Sequence, residues 1–194
     1  MARAQPLDDD RILDAARDTI LAVGLRRTTV SDVARRAGLS RMTVYRRYPD
    51  GAALIRALMW REFGGLLEQV RSDVAALPRA RNRLVTATVR IVERLAEHPL
   101  MRRLLDLEPE LLLPYVTVST GRFQEAAREL VAAVVAEGQD DGTIRDGDPA
   151  RMAAAIESAA RGPALALSAL RRSERRALLA ELQEMLDAYL RPVE

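Results

Sequence analysis

The chain has 194 residues, of which 48% are hydrophobic and only 4% aromatic: enough apolar surface for a packed core and too much for a disordered chain. It has no cysteine and one histidine, His98, which excludes disulfide scaffolds, thiolate nucleophiles and cysteine-ligated zinc, and leaves little for histidine-based metal or catalytic chemistry. The net charge of +2 is too small to imply nucleic-acid binding by itself, and the arginine-only usage of all 30 basic residues reflects compositional bias more readily than phosphate recognition, so the distribution of charge must carry that argument.

Alanine and leucine dominate the apolar set, so an all-α chain of about nine helices is expected. A first helix is predicted from about Asp9 to Val23, with Ile12, Ala16, Ile20 and Val23 on one face and Gly24 as its stop. Two short helices follow at about 29–37 and 40–47, separated by Gly38. A long helix runs from Gly51 to about Leu77, ended by Pro78. Further helices are predicted over Ala80 to Glu97, where His98 caps the end before Pro99, and over Leu100 to Leu107. From Glu108 the signal weakens around Pro114 and the Val116-Thr117-Val118 run. A helix over Gly121 to Glu137 leads into a turn-rich loop at 138–148. Asp148-Pro149 opens the next helix as N-cap and first residue, with Gly162-Pro163 expected to bend it, and Ser173 caps a last helix running to about Leu190. The aspartates 8–10 at the start exclude a secretory leader, and no run reaches ~18 apolar residues, so a cytoplasmic protein is expected.

The informative stretch is TTVSDVARRAGLSRMTVYRRY, Thr28 to Tyr48. Val30, Val33, Ala34 and Ala37 share one helical face, Thr29 and Asp32 have the spacing of a capping pair, Gly38 ends the helix, and Ser40 caps the next, which Val44 anchors. This pattern specifies two short helices around a tight turn, a helix-turn-helix. Between Leu25 and Tyr48 there are seven arginines and one aspartate, +6 in a chain of +2, so the rest is net acidic. With Val44 facing inward, Arg41, Met42, Thr43, Tyr45 and Arg46 face solvent or a groove, where arginine suits guanine and threonine and tyrosine suit phosphate.

These residues resemble the TetR family of bacterial regulators, whose signature reads approximately T-V-x-D-[IV]-A-x-x-A-G-[VL]-S-x-G-T-x-Y-x-[HY]-F. Thr29, Val30, Asp32, Val33, Ala34, Ala37, Gly38, Leu39, Ser40, Thr43, Tyr45 and Tyr48 stand at matching positions, and Leu54 matches the leucine that follows. Met42 replaces a usual glycine, Arg47 stands where histidine is common, and Gly51 where a phosphate-contacting lysine is common; backbone N–H groups at the start of that helix are the expected substitute. The resemblance implies a DNA-binding surface of Thr28, Thr29, Ser40, Arg41, Met42, Thr43, Tyr45, Arg46 and Arg47. Thr29, Thr43, Tyr45 and Arg47 would anchor phosphates, and Arg41, Met42 and Arg46 would read bases. It further implies residues 1–50 as the DNA-binding domain and 51–194 as a helical effector-binding and dimerisation domain.

Leu179, Leu182, Leu186 and Tyr189 step by three and four, and with Ile156, Ala160 and Leu167 of the alanine-rich preceding helix they are the expected homodimer interface, packing within one chain being the alternative. Met59, Trp60, Phe63, Met101, Leu104, Leu112, Tyr115 and Phe123 are the candidate lining of an apolar effector pocket, with Tyr115, Thr117 or Gln124 as polar handles, although such a set also serves as plain core. No cofactor or metal is expected: the acids of 140–148 lack calcium-loop spacing. The expected function is a sequence-specific transcriptional regulator, a repressor released from a palindromic double-stranded DNA operator by a small apolar effector. A helical enzyme has little chemistry to draw on here. A protein-binding adaptor is the remaining alternative, separable by the steep salt dependence of phosphate contacts.

Overall fold

The computed structural model describes residues 5–112 and 122–192, with side chains from 8 to 110 and from 122 onward. Among these residues there are nine α-helices and no strand: α1 (Gln5–Val23), α2 (Val30–Ala37), α3 (Arg41–Arg47), α4 (Gly51–Val74), α5 (Ala80–Glu97), α6 (Pro99–Leu107), α7 (Arg122–Asp140), α8 (Pro149–Ala166) and α9 (Arg172–Leu190). Short 3-10 turns follow α6 at Pro109–Leu112 and α8 at Leu167–Ala169. None of the described helices is long and apolar enough to cross a membrane.

The chain divides into two compact units, residues 5–62 with 99–112 and residues 63–98 with 122–192. The first is larger than the expected 1–50, because burial recruits more chain. Leu54 and Leu58 of α4 and Leu100 of α6 complete a core built on Ile12, Ala16 and Ile20 of α1, Val33, Ala34 and Ala37 of α2, and Val44 of α3. The division therefore falls inside α4. Val23, expected on the core face of α1, is 43% exposed, since α1 ends there and the chain turns away at Gly24.

In the second unit, α5, α7, α8 and α9 close around Leu84, Val85, Val92, Val135, Met152, Ile156, Leu182, Leu186 and Leu190. The loop after α7 is pinned by its own geometry: Ile144 sits so close to Gly138 that a Cβ there would collide with the Ile144 side chain. It is also tied to the end of α9, where the Arg145 N–H donates to the Leu190 carbonyl and its guanidinium donates to the Tyr189 carbonyl and lies over the Tyr189 ring.

Two helix starts differ from expectation. Helix α1 begins at Gln5, about a turn before the expected Asp9, so Asp8 too lies within it, in the first turn. At α9 the N-cap is Arg171, not Ser173: the Glu174 carboxylate reaches back to accept the Arg171 N–H at 2.8 Å, a charged acceptor that outcompetes a hydroxyl two residues on. Helix α8 continues through Pro163 to Ala166, ending only one turn past the residue whose missing N–H removes a ladder bond. The Asp148 cap is as expected, accepting from the Ala150 and Arg151 N–H groups, and His98 is the C-cap of α5.

Candidate nucleic-acid interface

The turn between α2 and α3 is built from local chemistry. Thr29 caps α2: its hydroxyl oxygen accepts the Asp32 N–H at 3.1 Å and donates to the Asp32 carboxylate at 2.6 Å. That second bond departs from a reciprocal capping box, since aspartate is too short to reach the cap's backbone N–H and takes the hydroxyl instead. The Thr29 hydroxyl, seconded by Arg35, holds the Asp32 carboxyl below the usual range. Gly38 ends α2 in the left-handed region at φ 64°, its N–H and the next returning to the Arg35 and Ala34 carbonyls, and Arg11 of α1 donates to the Ala37 carbonyl at 2.8 Å. Ser40 then caps α3, accepting the Thr43 N–H at 3.1 Å, with the two hydroxyls 2.8 Å apart.

On this frame α3 separates its faces cleanly. Val44 is fully buried, whereas Met42 is 75% and Tyr45 45% exposed, and Arg41 and Arg46 are exposed beside them. Arg41 and Arg46 form no ion pair among the described residues. Positions 41, 42, 45 and 46 are one stripe of the helix, and it carries two guanidiniums, a thioether and a phenol outward while α2 holds the other side. Thr43 is half-buried against Ser40.

Other expected contacts are already engaged within the chain. The Arg47 guanidinium makes a forked pair with Asp9 of α1, which turns it away from the outer face and pushes its pKa up; as a phosphate anchor it would first have to leave that carboxylate. The Thr28 hydroxyl donates to the Gly24 carbonyl at 2.7 Å, so its work is in the turn before α2. The start of α4 is capped by the Asp50 carboxylate, which takes the Ala53 N–H at 2.6 Å. An anion already occupies the place where backbone N–H groups were expected to meet a phosphate. Conversely, Arg27 and Arg36 are exposed without an ion pair among the described residues; their charge was counted in the sequence, but nothing in one dimension separated them from Arg26, which pairs with Glu110 at 2.8 Å.

A family model described as bacterial regulatory proteins, tetR family, matches residues 12–58, the span that builds this core and turn. An uncharacterised HTH-type transcriptional regulator of Mycobacterium tuberculosis, Rv2250c, is 33% identical over 146 residues, covering 75% of this chain and 74% of that protein. The chain belongs to the TetR family. Its fold is shared by a TetR-family regulator of Pectobacterium atrosepticum, at 17% identity and TM-score 0.72 over 96% of this chain and 95% of that one. It is shared also by the regulator FadR of Bacillus subtilis, solved in complex with stearoyl-CoA, at 18% identity and TM-score 0.68 over 93% and 98%. The protein is thus a helix-turn-helix transcriptional regulator, which decides against the enzyme and adaptor readings.

In this TetR-family chain the expected dimer seam is mostly interior. Ile156, Leu167, Leu179, Leu182 and Leu186 are buried within their own chain, Leu182 at 3% exposure, with Ala160 packed partly against them and Tyr189 lying under Arg145. Side chains that pack α9 onto α5 and α8 have no area left to give a second copy. A heptad-like pattern records only that a helix face is buried. What α8 presents outward is Ala155, Ser158, Gly162 and Ala166, at steps of three and four; α9 presents Ala177, Glu181, Glu184, Met185 and Ala188.

The expected effector-lining residues fall in both units. Met59 packs partly buried against the core of the first unit, Leu104 is buried there, and Trp60 and Met101 are half-buried. In the second unit Phe63 is buried, its ring edge-on to His98 at 5.2 Å and to Phe123 at 5.8 Å. Tyr115 and Thr117, and the side chain of Leu112, lie outside the described residues. No group of acids and histidine among the described residues could hold a metal ion.

Proposed function

We propose that this regulator is a repressor which binds a palindromic operator as a homodimer and leaves it when a small apolar effector binds. The observation that carries the reading is the outer stripe of α3, Arg41, Met42, Tyr45 and Arg46, exposed over a fully buried Val44. Arg41 and Arg46 are long enough to take guanine O6 and N7 in a major groove, Met42 offers an apolar contact to a thymine methyl, and Tyr45 and Thr43 can donate to phosphate. Thr29 and Ser40 contribute chiefly by capping, and Arg27 and Arg36 add positive charge beside α2.

Two α3 helices related by a two-fold axis would enter successive major grooves about 34–36 Å apart, which calls for a palindromic site. The exposed small-residue face of α8 supports such an axis, since it lets two copies approach closely and leaves the leucine core undisturbed. The effector reading is supported by the FadR relative in fold, whose bound stearoyl-CoA carries a long apolar acyl chain on a polar, charged coenzyme A. Release requires the effector to bind one conformation better than the other.

Fluorescence anisotropy on duplex fragments from the DNA upstream of the gene tests this. Specific binding should fall steeply with added salt and weaken in Arg41→Ala and Tyr45→Ala. Binding that neither variant alters, or that salt leaves unchanged, refutes it.

A further inference from the structure

A second feature of the first unit plays no part in groove contact. Glu108, the residue directly after α6, is 8% exposed. Its carboxylate accepts two backbone hydrogen bonds from the turn that joins α1 to α2, from the Leu25 N–H at 2.7 Å and the Arg26 N–H at 2.9 Å. The chain makes room for it: Gly24 is in the left-handed region at φ 89°, and a Cβ there would lie 3.4 Å from Glu108 Oε1. Two neighbours tie the same turn to the same segment, the Arg103 guanidinium donating to the Ala22 carbonyl at 3.0 Å and Glu110 pairing with Arg26. A buried carboxylate is costly unless its lone pairs are met, and two N–H donors at these distances meet them. The turn so held is the one from which Thr28 and Thr29 launch α2, and α2 carries α3.

We propose that Glu108 is a positioning residue for DNA binding: by clamping the α1–α2 turn from the end of α6, it keeps the helix-turn-helix in its groove-competent form. The proposal rests on the DNA-binding reading above. Because both bonds are short and directional, a shift of about 1 Å at Glu108 breaks them, and the fraction of heads in the competent form falls.

The experiment compares full-length wild type, Glu108→Ala, Glu108→Gln and Arg46→Ala in duplex affinity across a salt series and in amide hydrogen exchange. Charge alone predicts that removing an acid from a basic head tightens DNA binding. The clamp predicts the opposite: Glu108→Ala binds at least about ten-fold more weakly with an unchanged salt slope, because a population is lost and no phosphate contact is, while Arg46→Ala lowers the slope by about one. The Leu25 and Arg26 amides should exchange faster in Glu108→Ala while the Val44 amide stays protected. Glu108→Gln, which keeps one acceptor oxygen, should fall between, and it decides the matter if the alanine variant does not fold. Faster exchange with unaltered or tighter DNA binding overturns the positioning role alone; unchanged exchange overturns the clamp. A wild type that binds no duplex removes the DNA-binding reading and this role together, whatever the amides show.

Discussion

At the scale of single residues, the turn between α2 and α3 depends on torsion more than on space. Gly38 sits at φ 64° with only the Arg11 guanidinium nearby, 3.4 Å from where a Cβ would stand. Gly38→Ala should therefore cost about 1–2 kcal/mol from the left-handed backbone alone, read as a fall of about 2–8 °C in melting temperature. Arg41 is the opposite case, exposed and without an ion pair among the described residues, so Arg41→Ala should leave the melting temperature unchanged. Its loss should appear in operator affinity, about 1–3 kcal/mol, and as relaxed preference at one base pair of the half-site, measured by anisotropy on single-substituted duplexes. Arg47 falls between them: its pairing with Asp9 makes it a strap between α1 and α3, and Arg47→Ala should lower stability.

At the scale of elements, an ionic cluster adds to the apolar packing of α7 on α8. Glu157 of α8, largely buried, accepts from Arg128 of α7 at 2.8 Å and from Arg161 one turn along its own helix. Burial pushes its pKa up, and the hydrogen bonds from Arg161 and Arg128 outweigh that and hold it below the ordinary glutamate value. A depressed folded pKa means the stabilisation is present above the unfolded value and is lost as pH falls through the folded one. Glu157→Gln should therefore be less stable at neutral pH and show a shallower loss of stability on acidification, by denaturant unfolding from pH 7 to 3. Equal acid limbs in variant and wild type would contradict this account. The element scale also explains why α4 cannot be assigned to one part: Leu54 and Leu58 belong to one core while Phe63 packs with His98 and Phe123 in the other.

At the scale of the whole molecule, the proposed two-fold assembly makes a selective prediction. Gly162 is exposed on α8, and a Cβ there meets nothing within 4 Å among the described residues. Gly162→Arg should thus leave the isolated fold intact, and even favour it by about 1 kcal/mol through helix propensity, while placing a bulky cation on the proposed interface. Sedimentation should show a shift from dimer to monomer with unchanged helicity, accompanied by loss of palindrome binding. A variant that stays dimeric would place the axis on another face.

The sequence by itself determined the parts governed by local rules. Thr29, Gly38, Ser40, Asp148 and His98 act at helix ends through groups within a few residues of themselves, so their roles could be read in one dimension, as could the outward stripe of α3 once Val44 was set inward. The family signature lies in that same stretch for the same reason. The tertiary structure alone decided which buried faces meet and which charges pair. Leu182 and Leu186 look alike whether the partner helix belongs to the same chain or another, and only their packing against α5 and α8 shows that their own chain buries them. Asp9 with Arg47, and Glu108 with the amides of Leu25 and Arg26, join residues 38, 83 and 82 positions apart. No periodicity records such a pairing, because a carboxylate's partner is set by where folding brings the chain and not by what stands beside it in sequence.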